Sequence, residues 1–233
     1  DEVMADVPGP GFIKRYMLRR RQRGGYTVGD GITEDNRAAV EAIYYNNLTA
    51  LEAVLQQRPF LLGQDPSLVD VGFMGSMFRH FSMDPPPAKI MRETAPAVYE
   101  WIARLWNFSA RENQGDWLSG IPNDWGFWLN DIGSTYLPYL NASTRALVEG
   151  KKRFDVDLGG AHYKGAHVAA YRTWCLEKLR NNFNTVPESA QAEIRRILEE
   201  HGCWQPLWEI ETLDSGVDSD NSLPFSGGSK MVY

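Results

Sequence analysis

The stretch that decides the fold reads Arg58-Pro59-Phe60-Leu61-Leu62-Gly63-Gln64-Asp65-Pro66-Ser67-Leu68-Val69-Asp70. Ser67 and Asp70 have the spacing of a capping box, in which the serine side chain and the carboxylate each accept from the other residue's backbone N–H. A helix that begins inside a core needs such an internal cap, because water cannot reach its free N–H groups. We therefore expect Ser67 and Asp70 to be buried, and the apolar helix that follows to be buried on most sides.

A second segment follows at residues 95–104, Ala95-Pro96-Ala97-Val98-Tyr99-Glu100-Trp101-Ile102-Ala103-Arg104. The segment that ends in Gly63, the S-x-x-D box and this Trp101 helix resemble, in order and spacing, the C-terminal domain of glutathione transferases. The resemblance covers roughly residues 33–110. It implies an all-α fold, a glutathione-transferase C-terminal-like helical bundle.

Periodicity predicts the remaining elements. Thr33 is expected to cap a long helix, Thr94 to start the Trp101 helix, and Pro122 to open a helix that Pro138 kinks. Around residues 152–164, apolar and polar residues alternate on either side of a Gly-Gly pair, which predicts a small β-hairpin. We thus expect a linker-like basic segment at 1–32, a helical domain at 33–203, and an extended, irregular polar tail at 204–233.

The basic segment contains Phe12-Ile13-Lys14-Arg15-Tyr16-Met17-Leu18-Arg19-Arg20-Arg21-Gln22-Arg23, which could form a short helix. Three interpretations stay open for it. It is a solvated face, a contact with acidic groups of a neighbouring domain, or a docking site for an anionic partner or a lipid headgroup.

Composition excludes several classes of function. The net charge of −6 argues against nucleic acid as the main partner, and no apolar run approaches the length of a membrane span. The two cysteines, Cys175 and Cys203, give no disulfide framework, so we expect an intracellular, reducing compartment, the cytoplasm or the mitochondrion. His162 and His167 lie without other ligands at metal-binding spacing, and no metal site is expected.

The resemblance also bears on catalysis. Glutathione transferases activate the glutathione thiol in a thioredoxin-like N-terminal domain, and the sequence shows no pattern typical of one. No catalytic residue and no cofactor is therefore expected in this chain, and glutathione would be bound only with a thioredoxin-like half present. The helical half of the family contributes an apolar wall for the electrophilic substrate. The matching side chains here are Tyr16, Tyr44, Asn47 and Phe78.

Two functions follow. The chain is a glutathione-transferase-like helical domain that acts without catalysis, in binding or as a subunit of a larger assembly with a protein partner. Alternatively, it is the substrate-binding half of an active transferase whose thioredoxin-like half lies elsewhere. In both cases we expect the chain alone to be inactive.

Overall fold

The structure, a computed structural model, describes residues 8–217 and is mostly helical. The α-helices are α1 (Gly11–Arg21), α2 (Arg37–Leu55), α3 (Leu68–Ser76), α4 (Pro85–Thr94), α5 (Pro96–Asn107), α6 (Gly126–Asp131), α7 (Leu137–Val148), α8 (Ala170–Thr185), α9 (Glu188–Glu200) and α10 (Trp204–Trp208). Stretches of π-helix follow α1, α3 and α6, at Gln22–Thr27, Met77–Ser82 and Ile132–Tyr136. The predicted all-α fold is confirmed.

The predicted β-hairpin is also confirmed. Strands β1 (Arg153–Leu158) and β2 (Ala161–His167) pair antiparallel across the turn formed by Gly159 and Gly160. The register shifts between Phe154 and Val156, which is a bulge. The second strand thus extends a few residues beyond the predicted end of the hairpin.

The chain forms two compact units. The groove unit, named here for the site described below, is Glu41–Phe127, and its buried apolar side chains come mainly from α2, α4 and α5. The hairpin unit comprises the residues up to Val40 and those from Trp128 onward. Its main apolar cluster consists of Leu137, Leu140, Leu176, Cys203 and Leu207. The predicted domain limits, 33–203, stay a prediction.

The start of α2 differs from the expectation. The helix begins at Arg37, not at Thr33, whose backbone N–H instead donates to Asn36 Oδ1 over 2.7 Å. The buried Asn36 side chain also donates to the carbonyls of Gly31 and His162, at 3.0 and 2.8 Å. Asn36 therefore ties the chain before α2 to the hairpin, and the helix can begin only after it.

The prolines at 85–87 begin a helix. The helix α4 starts at Pro85, where a missing N–H costs nothing in the first turn. Thr94 is consequently the last residue of α4, and α5 starts at Pro96 after a break at Ala95. Pro138 lies in the first turn of α7, directly after a π-helical stretch that accommodates its missing N–H.

Part of the predicted tail is ordered. Residues Trp204–Trp208 form α10, Leu207 is buried, and Ser215 donates to Glu177 through both its backbone N–H and its hydroxyl. The rest of the predicted tail, residues 218–233, lies outside the described residues. Within residues 8–217, no helix combines the length and the apolar character needed to cross a membrane.

Candidate functional site

An open apolar groove of about 790 Å³ lies on the groove unit. Its walls are the first turns of α3, the end of α5 and the loop from Phe108 to Trp117. Leu68, Val71, Met74, Leu105, Trp106 and Trp117 supply most of the apolar lining.

The outer face of α3 forms one wall of the groove. The sequence predicts a helix that is buried on most sides, but α3 is not. Leu68 is 89% exposed and Val71 is 59% exposed, although both are apolar. Asp70 alone among the residues of α3 is buried. The apolar residues of α3 thus form exposed surface as much as core. The prediction of a largely buried helix was wrong.

The capping box at the start of α3 is present as predicted. Both the backbone N–H and the hydroxyl of Ser67 donate to Asp70 Oδ2, at 2.9 and 2.8 Å. Asp70 is fully buried, as expected, whereas Ser67 is half-buried, because it lies on the lip of the groove. The expectation of a buried serine was therefore wrong.

Asp70 also joins α3 to two other parts of the groove unit. Its Oδ1 accepts from the backbone N–H of Leu61 at 2.8 Å and from the indole N–H of Trp101 at 3.0 Å. A buried carboxylate is costly unless its oxygens are hydrogen-bonded, and here four donors serve it. The same bonds hold α3 and α5, and hence two walls of the groove, at a fixed separation.

Asp65 holds the loop from Phe108 to Trp117, the third wall of the groove, in place. Its Oδ2 accepts from the backbone N–H groups of Gln114 and Asp116, at 2.7 and 3.0 Å. These hydrogen bonds, that of Asp116 foremost, hold the pKa of the Asp65 carboxyl below its usual value, against the opposing effect of burial. The loop is held further by a backbone bond from Leu118 to Leu62 of 2.7 Å.

Gly63, part of the motif that carries the resemblance, has a specific reason to be glycine. Its φ of 154° disfavours residues with a Cβ, and a Cβ there would lie 2.5 Å from the carbonyl oxygen of Asp116. The loop backbone can therefore approach only because this position lacks a side chain.

Residues 18–108 match the family model of the glutathione S-transferase C-terminal domain. The match confirms the resemblance drawn from Gly63, Ser67, Asp70 and Trp101. Neither a curated protein nor a solved structure matches the chain. We refer to residues 18–108 as the transferase-like segment. It contains all of α2 to α5, and most of the groove lining falls within it.

The side chains expected to form the substrate wall do not line the groove. The hydroxyl of Tyr44 donates to the carbonyl of Pro87 at 2.9 Å, and its ring stacks on Phe81 with a centroid distance of 4.4 Å. Burial raises the pKa of Tyr44 to about 12. The Asn47 side chain donates to a carbonyl of its own helix, that of Ile43.

Phe78 and Tyr16, the other two residues expected in the substrate wall, belong to different units. The ring of Phe78 stacks on that of Trp106, which lines the groove, with ring centroids 4.5 Å apart. Phe78 therefore contacts the lining without being part of it. Tyr16 is 64% exposed on α1, in the hairpin unit. The role of these four residues in binding a substrate stays a prediction.

Sequence reasoning missed the residues that do line the groove, above all Leu68, Trp106 and Trp117. A signal existed for Trp117, an aromatic residue in a largely polar connection between two helices. For Leu68 the signal was weaker, since it occupies the first helical position after a cap, which often faces solvent.

The lining of the groove contains no ionisable side chain, and its polar groups come from Ser67, Asn113 and two indoles. Burial raises the pKa values of the Cys175 and Cys203 thiols, so neither is a ready thiolate at neutral pH. Residues 8–217 contain no group of three or more His, Cys, Asp or Glu placed to hold a metal ion. No side chain that lines the groove is of a type that ordinarily serves as an acid, a base or a thiolate nucleophile.

Proposed function

We propose that this chain is a glutathione-transferase-like helical domain that acts by binding, as a subunit of a larger assembly, and does not itself conjugate glutathione. The observation that carries the proposal is the apolar groove beside the Ser67–Asp70 cap, whose lining has no ionisable side chain. Conjugation requires a thiolate at neutral pH, and hence a donor or a base aimed at the glutathione sulfur.

The proposed occupant is an apolar side chain of a protein partner. An enclosed pocket for a small ligand buries most of its lining, whereas Leu68 is 89% and Trp106 is 65% exposed. Tryptophan is enriched at the centres of protein interfaces, where it inserts between apolar groups of the partner. Exposed apolar surface of this kind marks an interaction site when it is contiguous.

The second candidate is the substrate-binding half of an active transferase. The match of residues 18–108 to the transferase C-terminal domain favours it. In that case the partner is a thioredoxin-like domain, which binds glutathione, and this chain supplies apolar contacts to the electrophile. Both candidates place the chain in a reducing compartment, the cytoplasm or the mitochondrion, where its two cysteines stay free thiols.

The first experiment is a conjugation assay, in which the purified chain is mixed with glutathione and a chloronitrobenzene electrophile. We expect turnover at the uncatalysed rate. Robust turnover by the chain alone would refute the proposal and favour a complete active site within it.

The second experiment tests the groove with an apolar fluorescent dye, anilinonaphthalene sulfonate. Leu68→Glu should lower dye binding, because it places a charge on the lip of the groove without disturbing a buried contact. Met83→Glu is the matched control, since Met83 is 65% exposed in the same unit but does not line the groove. Equal dye binding by both variants and the unaltered chain would show that the groove is not the apolar site.

A further inference from the structure

The helical stretch at residues 11–29 has an unusual charge for this chain. It contains six of the 24 lysines and arginines, and residues 8–29 contain no aspartate or glutamate. Because the whole chain carries −6 and this stretch carries +6, the rest of the chain carries −12. Such an uneven charge distribution orients the molecule in an electric field, with residues 11–29 turned toward negative charge.

The same stretch exposes apolar side chains. Phe12 and Tyr16 are 68% and 64% exposed, and Ile13 and Met17 are 43% and 59% exposed. Each pair is four residues apart, so the four side chains share one side of α1. No residue of α1 is buried, so within the described residues this helix contributes nothing to a core.

The basic residues are concentrated toward the end of the helix, although Lys14 and Arg15 lie between the apolar residues. The four exposed apolar residues occupy the first two turns, whereas the last turn holds Arg19, Arg20 and Arg21. Arg23 follows in the adjoining π-helical stretch. Cations at the C-terminal end also favour the helix through its dipole. Residues 11–23 therefore present exposed apolar side chains next to a cluster of guanidinium groups.

We propose that residues 11–29 bind the surface of a membrane that contains anionic lipids. The first two turns of α1 enter the boundary between headgroups and acyl chains, and the arginines contact lipid phosphates. Guanidinium groups bind phosphate oxygens in a planar, two-pronged geometry. Apolar burial and attraction to anionic headgroups together drive the binding of such interfacial helices. This attachment is to the surface only, since no described helix can span a bilayer.

The exposed apolar side chains favour a lipid surface over nucleic acid. A nucleic acid backbone is matched by the arginines alone and gives Phe12 or Met17 no apolar environment. At a membrane both groups of residues are used, because the headgroup region and the acyl boundary lie a few ångströms apart. The proposal stands independently of the groove and of the proposed binding function.

The test is co-sedimentation of the full chain with vesicles. One set contains phosphatidylcholine only, and in the other phosphatidylserine replaces about a third of it. The chain should sediment with the second set and not with the first, and added salt should release it. The triple variant Arg19→Gln, Arg20→Gln, Arg23→Gln should bind roughly 100-fold more weakly, since each cation near the surface contributes about fivefold.

Two further variants separate insertion from simple charge attraction. Tyr16→Gln with Met17→Gln keeps every charge and should weaken binding roughly tenfold, through the loss of apolar burial. The matched control removes three exposed cations elsewhere, as Arg79→Gln, Arg111→Gln, Lys152→Gln, and should bind as the unaltered chain does. Circular dichroism of each variant verifies that the helices persist.

Three results would overturn the proposal. The chain would fail to sediment with phosphatidylserine vesicles, or the control variant would lose binding as completely as the arginine variant. The third is full retention of binding by the Tyr16 and Met17 variant, together with tighter binding to duplex DNA or heparin through the same arginines. That result would identify a soluble polyanion as the partner.

Discussion

The indole N–H of Trp101 donates to Asp70 Oδ1 over 3.0 Å, and neither residue exposes any surface to solvent. Trp101 lies on α5 and Asp70 in the first turn of α3. The two sequence motifs on which the family resemblance depended are therefore in direct contact. The carboxylate that caps one helix also fixes the position of another, which explains why both motifs belong to the same fold.

Substitution of Asp70 tests this contact. Asp70→Asn replaces an oxygen that accepts from Ser67 with an amide nitrogen that can only donate, or turns the donor toward Leu61 and Trp101. Buried donors would lose their acceptor in either orientation, and we expect a loss of about 2 to 4 kcal/mol in the free energy of unfolding. Urea denaturation measures it.

Ser67→Ala should cost less, about 1 kcal/mol, because Ser67 is half-buried and water can replace part of its bonding. Ser189→Ala, at an exposed position in α9, is the control and should change little. Unchanged denaturation midpoints for both Asp70→Asn and Ser67→Ala would show that the cap does not stabilise the fold.

The pKa of Asp65 predicts a dependence on pH. Hydrogen bonds from the backbone of Asp116 and Gln114 lower the pKa in the folded state, so the carboxylate is favoured by folding. This stabilisation is fully present above the unfolded pKa, near 4, and is lost as the pH falls through the lower folded pKa. Asp65→Asn should therefore lower the urea midpoint at pH 7, and the difference from the unaltered chain should shrink toward pH 3. A difference that stays constant over this interval would contradict the assignment.

Tyr44 predicts a change at the alkaline end. Burial raises its pKa to about 12, so the neutral phenol is favoured in the folded state. The stabilisation is present below the unfolded pKa, near 10, and is lost as the pH rises toward 12. Burial also raises the pKa of Tyr136 to about 12, so more than one phenol should titrate late. In an ultraviolet titration Tyr44→Phe should lower the amplitude of the late step, and Tyr45→Phe, at an exposed position, should leave it unchanged. A late step of equal amplitude in both variants would count against Tyr44.

Gly133 tests the packing of the chain, and Gly72 serves as its matched control. A Cβ on Gly133 would lie 2.6 Å from the carbonyl oxygen of His201, so Gly133→Ala should cost about 1 to 3 kcal/mol through overpacking. A Cβ on Gly72, in the middle of α3, would meet nothing within 4 Å. Gly72→Ala should therefore stabilise the chain by up to about 1 kcal/mol, through helix propensity alone. Thermal unfolding distinguishes the two, and a stabilising Gly133→Ala would refute the close approach.

The fold was predictable where local chemistry decides it. The S-x-x-D spacing gave the start of α3, and Gly159-Gly160 gave the hairpin, because a cap and a two-residue turn depend on neighbours in sequence. Asn36 was missed because Thr33 is an equally good cap by local criteria, and only the distant carbonyl of His162 distinguishes them. The start of α4 at Pro85 was not predictable, because a proline is equally suited to end one helix and to begin the next.

The groove was not predictable in this way. Its lining comes from segments more than fifty residues apart in the chain. Periodicity gives the apolar character of Leu68 but does not tell whether another part of the chain covers it. The predicted wall residues followed from the family resemblance instead. Tyr44 and Phe78 are largely occupied by stacking on Phe81 and Trp106, contacts that the sequence pattern does not reveal.

The backbone bond between Leu118 and Leu62 has a consequence for the order of folding. The two residues are more than fifty positions apart, and closing a loop of that length costs roughly 3.5 kcal/mol of chain entropy. Contacts this remote form after the helices between them, and we expect them to be the first to open in the native state. Hydrogen exchange at the amides of Gln114, Asp116 and Leu118 should therefore be faster than at the amides of α5. The loop from Phe108 to Trp117 would then open while α3 and α5 stay folded, and an occupant would enter the groove without unfolding either helix.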